Sequence, residues 1–138
     1  GQSGDRDAVI DMACDIWIPA ARPDVIDENN VGRLKTRLVI EGANIPMTHA
    51  AEKMLQQQGV LVLPDFIVNA GGVICAAMEY KGATQTAALQ AIEERLRENT
   101  RQVLEVVKSH QVLPRQAAID LALQRVNKAV SYKRWSVF

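Results

Sequence analysis

Apolar residues gather in three short runs early in the chain and in two long periodic stretches later, and this change of period divides the chain. Residues 14–18 (CDIWI) form the first run, stopped by Pro19. Residues 38–40, flanked by Arg37 and Glu41, form the second, and residues 60–63, bounded by Gly59 and Pro64, form the third. Short apolar runs closed by Gly or Pro predict strands buried on both faces, the pattern of a parallel sheet. The polar stretch 24–33 predicts a short helix with Asp27 as its N-cap. Thr48 predicts the cap of a helix running to Gln58, with Gly59 at its C′ position, while Glu52 stands one residue too far on for a strict capping box. Residues 5–12 read as a helix end or an irregular lead-in. Strand, helix, strand, helix, strand is the alternation that builds right-handed crossovers.

Beyond the third run the spacing changes to threes and fours. Leu89, Ile92, Leu96, Val103, Val106 and Val107 mark one face of a long helix over 85–110, with Glu93 and Arg97 as an i,i+4 pair on its surface. Pro114 suits the first position of a last helix, whose predicted buried stripe is Ile119, Leu123, Val126 and Val130. The chain is thus read as one α/β domain over 1–138. Residues 1–6 have no assigned role, 7–80 hold three parallel strands with helices, and 81–138 are a helical tail. Three strands make a small sheet, so at least one long apolar edge is left to be covered by more chain, a second copy or the tail. The pattern is that of half a doubly wound domain.

Composition narrows the function classes. With 138 residues, 48% of them apolar, the chain can bury a core, and its 16 basic and 16 acidic side chains balance. No charge excess points to nucleic acid or an anionic membrane surface, and no apolar run reaches the roughly 18 residues of a membrane span. No basic segment followed by an apolar one marks a secretory signal. Cys14 and Cys75 sit in apolar settings and are expected to be buried, reduced thiols of a cytoplasmic protein. His49 and His110 are given no ligand partners, and no metal site is expected.

The chemistry lies where the strands end. Strands running in one direction put IPAA (18–21), EGAN (41–44) and PDFIVNAGG (64–72) at one rim, where open α/β sheets bind ligands. Ala20, Ala21, Ala43, Gly71 and Gly72 leave space there. Asn44 and Asn69 bring uncharged side chains that both donate and accept, suited to an amide or a ribose hydroxyl. Each has a plainer alternative: Asn44 as a turn former before Ile45-Pro46, Asn69 as the cap of the following helix, and the two glycines as places of tight packing or unusual φ.

The three segments CDIWIPAA (14–21), IEGANIPMTHAA (40–51) and VLVLPDFIVNAGGV (60–73), in this order and spacing, resemble the glutamate/leucine/phenylalanine/valine dehydrogenase family. They correspond to the second half of its cofactor domain, and the tail resembles the family's C-terminal region. The resemblance covers 7–134 and implies NAD- or NADP-dependent oxidative deamination of an amino acid to a 2-oxo acid and ammonia, in a homo-oligomer. It implies that Asn44 lies against the nicotinamide ribose and Asn69 binds the carboxamide region, with the cofactor lying along Ala20 and Ala21. Ala76 stands where glutamate-specific members commonly carry a substrate-binding Ser, so the resemblance implies a pocket wall better suited to apolar side chains. The family's catalytic Lys and Asp belong to another domain, and its GxGxxG pyrophosphate loop does not occur in these 138 residues. The chain is therefore expected to be a C-terminal piece without activity of its own. The alternative is a non-catalytic interaction or oligomerisation module.

Overall fold

The computed structural model describes residues 8–133. Parallel strands β1 (Ile16–Trp17), β2 (Leu38–Ile40) and β3 (Leu61–Leu63) lie side by side in the order β1-β2-β3. Ile16 pairs with Leu38 and Trp17 with Val39, while Leu38, Val39 and Ile40 pair with Leu61, Val62 and Leu63. All three carboxyl ends therefore reach one rim. The helices are α1 (His49–Gln57), α2 (Asp65–Val68), α3 (Gly71–Tyr80), α4 (Gln85–His110) and α5 (Pro114–Lys133). This is the α/β arrangement with a helical tail that the hydrophobic pattern predicts.

Helix α1 forms where its caps allow. Thr48 Oγ1 accepts from the Ala51 amide at 3.2 Å, and Gly59 takes φ +81° just past the end, a conformation cheap for glycine. Ala51 and Leu55 on its inner face join Ile10, Ile26, Val31, Leu34, Val39, Met47 and Val62 in one core against the sheet. Fully burying one such Val, Leu or Ile contributes about 1.5–3 kcal/mol. Leu55, with no exposed surface, is a position where truncation to Ala would cost about 2–5 kcal/mol.

The connection from β1 to β2 carries the short helix expected within 24–33 only as its last turn. It is irregular, with a 3-10 turn only at Val31–Arg33. The reason is local competition for backbone groups. Asp27 Oδ1 accepts from the amides of Asn29 (2.8 Å) and Asn30 (3.1 Å), and Asn30 Oδ1 accepts from the Asp27 amide (2.9 Å). Asp27 thus bonds as the expected cap does, but the Asn30 side chain, which also donates to the Val25 carbonyl (2.9 Å), holds the segment as a turn ahead of the 3-10 helix. The expected lead-in is a 3-10 turn, Ala8–Asp11, held by Arg33 to Asp11 at 2.7 Å. Residues 1–6 lie outside the described residues.

Three further expectations are corrected. The edge strand β1 is short rather than long, though Ile16 (52% exposed) and Ile18 (57%) leave it apolar and open. Cys14 is exposed and Cys75 half-buried, both free, because Cys14 precedes an edge strand and Cys75 shares an open helix face with Glu79 (Sγ to Oε1 3.6 Å). Nor are the strands buried on both faces throughout: Val39 and Val62 are fully buried, whereas Leu38, Ile40 and Leu61 are half-covered. The tail packs against β3 through α5.

Thr84 caps α4, accepting from the Ala87 amide at 3.3 Å, and Arg97 meets Glu93 at 2.7 Å as the spacing predicts. Val103 of α4, Ala117 and Ala118 of α5, and Ile67 of α2 form a second core. Helix α5 starts at Pro114 as expected, but its predicted stripe is not buried: Ile119, Leu123, Val126 and Val130 are all exposed. The helix docks where the small Ala117 and Ala118 permit close approach to α4, and further along Arg125 donates to Asn99 Oδ1 (2.9 Å) and Gln102 Oε1 (2.8 Å). Leu89 of α4 is likewise exposed. Among the described residues no helix is long and apolar enough to cross a membrane.

Candidate functional site

The rim is assembled from three loops tied together by the backbone. Beyond β1, the Pro19 carbonyl accepts from the Ala43 amide at 2.8 Å, drawing the first loop onto the second. Gly42 makes this possible: a β-carbon there would stand 3.1 Å from Ile18 Cγ2 and 3.2 Å from Ala20 Cβ, tighter than ordinary packing. Ala20 and Ala21 stay exposed at this edge.

Asn44 and Asn69, 25 positions apart in sequence, meet directly. Asn69 Nδ2 donates to Asn44 Oδ1 at 2.7 Å. Asn44 Nδ2 and Asn69 Oδ1 have no partner among the described residues, so the pair presents one donor and one acceptor. Asn69 does not cap the following helix. That place belongs to Ala70, without a side-chain hydrogen bond, and the first amides of α3 are left uncapped. Gly72 adds open space beside them, with no atom within 4 Å of a β-carbon built there, and Gly71 meets only Ile92 Cγ2 at 3.5 Å. Neither glycine is among those with positive φ. Tight packing and unusual φ therefore do not account for Gly72. Ala76 stands exposed on α3, about two turns beyond Asn69 and apart from the asparagine pair.

Beneath the rim lies a charge cluster that the sequence reading did not find. Arg115, in the first turn of α5, donates to Glu41 Oε2 (2.8 Å), to Glu52 Oε2 and to Asp65 Oδ1 (3.5 Å), and its guanidinium carbon lies 5.7 Å from the Phe66 ring centre. Glu41 is fully buried, and Glu52 and Asp65 nearly so. Glu41 Oε2 also accepts from the Asp65 amide at 2.8 Å, while its Oε1 has no partner. Burial pushes the Glu41 carboxyl up to about 7, against the pull of the Asp65 amide and Arg115, with Glu52 and Asp65 adding to the rise. Burial also works against the Arg115 charge, but Glu52, Glu41 and Asp65 together hold it more firmly protonated than usual. One signal in the sequence pointed here: a cation in the first turn of a helix opposes the helix dipole, so Arg115 needs carboxylates from elsewhere.

His49 Nδ1 lies 3.7 Å from Glu52 Oε2, a carboxylate neighbour that the sequence reading had not given it. At the opposite, amino-end rim a shallow depression of about 620 Å³ is lined by Cys14, Asp15, Lys35, Thr36 and Arg37. Its Arg37–Asp15 pair (2.6 Å) is solvent-exposed and self-satisfied, and parallel sheets bind ligands at the other end, so volume does not mark the site.

Residues 2–134 match the family model described as Glutamate/Leucine/Phenylalanine/Valine dehydrogenase. A glutamate dehydrogenase of Aeropyrum pernix is 38% identical over 137 residues, covering 92% of this chain and 33% of that protein. An NAD-specific glutamate dehydrogenase of Staphylococcus aureus is 30% identical over 134 residues, covering 93% and 32%. Among solved structures, L-tryptophan dehydrogenase from Nostoc punctiforme superposes with a TM-score of 0.80 at 24% identity, covering 87% of this chain and 37% of that one, a likeness of fold. The chain spans about a third of the length of the curated relatives it matches. With strands, rim loops and tail all accounted for by the family model, the chain belongs to the glutamate/leucine/phenylalanine/valine dehydrogenase family.

Proposed function

We propose that this chain is the C-terminal cofactor-domain portion of an NAD- or NADP-dependent amino-acid dehydrogenase, working within a longer polypeptide that deaminates an amino acid to a 2-oxo acid and ammonia. The observation that carries the reading is the Asn44–Asn69 pair: one free donor and one free acceptor, at the carboxyl-end rim, beside an uncapped helix start with open space. A carboxamide offers the matching acceptor and donor. The nicotinamide ring, when bound, supplies the hydride acceptor. Asn69 binds its carboxamide region, Asn44 lies against the adjoining ribose, and Ala20 and Ala21 give the cofactor a small-residue wall. Ala76 has no hydroxyl for a substrate carboxylate and favours apolar side chains, although the Aeropyrum pernix and Staphylococcus aureus relatives are glutamate dehydrogenases.

Fluorescence titration of the complete polypeptide with NADH and NADPH tests this. Asn44→Ala and Asn69→Ala are each expected to weaken binding about two- to tenfold, the range of one hydrogen bond to a neutral group. Unchanged affinity in both would overturn the assignment. The 138-residue chain alone is expected to show no cofactor reduction with glutamate, leucine or valine, and turnover above background would refute that part.

A second reading, self-association, is favoured by the exposed stripe Ile119, Leu123, Val126 and Val130 on α5 and the open β1 edge. It is compatible with the first, and the two together describe a homo-oligomeric dehydrogenase.

A further inference from the structure

Ile45 holds its backbone at φ +48°, in the left-handed region, although it is β-branched and precedes Pro46. Both features disfavour that conformation, so the surroundings must impose it. The Ile45 carbonyl accepts from the Asp24 amide (2.9 Å), and the Pro46 carbonyl accepts from the amides of Val25 (2.9 Å) and Ile26 (3.1 Å), Ile26 being fully buried. From the other side, the Ile45 amide donates to Asp65 Oδ2 at 2.8 Å. The strained residue directly follows Asn44, so its conformation sets where the Asn44 side chain points.

Asp65 is held from three directions. Its amide donates to Glu41 Oε2, its Oδ1 accepts from Arg115, and its carbonyl accepts from the Asn69 amide at 2.8 Å. One residue thereby grips both asparagines: Asn69 through the main chain, Asn44 through its neighbour's amide. A surface ion pair would not need this arrangement. An Asp used only to neutralise Arg115 would have no reason to spend its second oxygen on a strained amide at the rim.

We propose that Asp65 is a positioning residue for the cofactor pair, holding Ile45 in the left-handed conformation that aims Asn44 at Asn69, with Arg115 of the tail helix bracing the carboxylate. The proposal rests on the reading of Asn44 and Asn69 as cofactor contacts, and its test separates the two.

The test compares the complete polypeptide with its Asp65→Ala and Asp65→Asn variants. Hydrogen exchange by mass spectrometry follows one peptide spanning Ile45 and another over β2, and NADH and NADPH affinities are measured alongside. Asp65→Ala is expected to speed exchange at Ile45 at least tenfold, leave β2 protected, and weaken cofactor binding about tenfold. Asp65→Asn keeps an acceptor for the Ile45 amide, so it is expected to retain most of both properties, and it carries the test if Asp65→Ala does not fold. Ile45 exchange unchanged in Asp65→Ala overturns the positioning role, as does Asp65→Asn losing protection equally at Ile45 and β2. No binding of NADH or NADPH by the unmodified protein overturns the cofactor reading instead, leaving the exchange result to judge Asp65 by itself.

Discussion

Asn69 reaches Asn44 across 2.7 Å, closing a bridge between the loops that leave β3 and β2. A bond between two exposed amides contributes little to folding, because water replaces either partner readily. Its effect is on orientation, since each amide fixes the direction of the other's free group.

Asn69→Ala in the complete enzyme should therefore act on kinetics more than on stability. Losing one hydrogen bond to a neutral ligand group costs on the order of 0.5–1.5 kcal/mol, and more if the ring drifts from hydride distance. Asn69 closes α2 only through its backbone amide, which alanine keeps, and its side chain caps no helix, so the melting temperature should move little. A large fall in melting temperature with unaltered turnover would assign Asn69 a structural role.

Glu41 gives a pH dependence with a definite sign. Its carboxyl rises from 4.5 to about 7 on folding, chiefly through burial, while facing Arg115, Glu52 and Asp65. Below pH 4.5 both folded and unfolded forms are protonated and nothing is lost. Between 4.5 and about 7 the folded state binds more protons, so this group's contribution to stability falls as pH rises. The full cost, on the order of 3 kcal/mol, is present above that window. Glu41→Gln does not titrate, so its stability relative to the parent should improve steadily across that window in denaturant titrations. A pH-independent difference would show that Glu41 keeps its ordinary titration.

Arg115→Ala leaves three buried carboxylates without their cation, a change expected to cost about 3–5 kcal/mol. The loss should shrink at acid pH, where Glu41 is neutral. Chemical denaturation at two pH values checks both the size and the trend.

Gly42→Ala places a methyl group 3.1 Å from Ile18 Cγ2 and 3.2 Å from Ala20 Cβ. The first rim loop has to move outward, with an expected loss of about 1–3 kcal/mol. Thermal melting reads the loss. A neutral result would show that the loop gives way freely.

Leu123→Glu tests the stripe on α5. Leu123 is 53% exposed, so the change should alter folding stability by no more than about 0.5 kcal/mol while weakening self-association. Sedimentation of parent and variant decides: a parent that is monomeric at high concentration removes the case for the stripe as a contact.

The parts of the fold legible from sequence were those governed by local rules. Thr48 and Gly59 bracket α1, Pro114 opens α5, and the second apolar run is β2 residue for residue. Within 24–33 the expected short helix is cut to a 3-10 turn at Val31–Arg33 because the Asn30 side chain bonds back to the Asp27 amide and the Val25 carbonyl, a choice that periodicity does not register. The α5 stripe failed for a different reason. Its spacing is correct for a buried face, but Ala117 and Ala118 took the contact with α4, and small residues carry no weight in a hydrophobic pattern. At the rim, Asn44 and Asn69 stood out as polar residues after buried strands. Asp65 and Glu41, equally placed, were passed over because lone carboxylates usually face water, and their partner Arg115 lies far along the chain.

That distance has a consequence for how the protein is made. Arg115 is 74 positions from Glu41, 63 from Glu52 and 50 from Asp65, so the cluster consists of non-local contacts. Such contacts form late, since chain entropy must be lost before they can form. During synthesis the strands and both asparagines leave the ribosome well before the first turn of α5 does. Until then Glu41 and Asp65 sit beneath the rim with no counter-charge. A nascent chain that stalls before residue 115 would therefore carry strand ends whose buried acids lack their cation, and the tail would act as the closing step of folding.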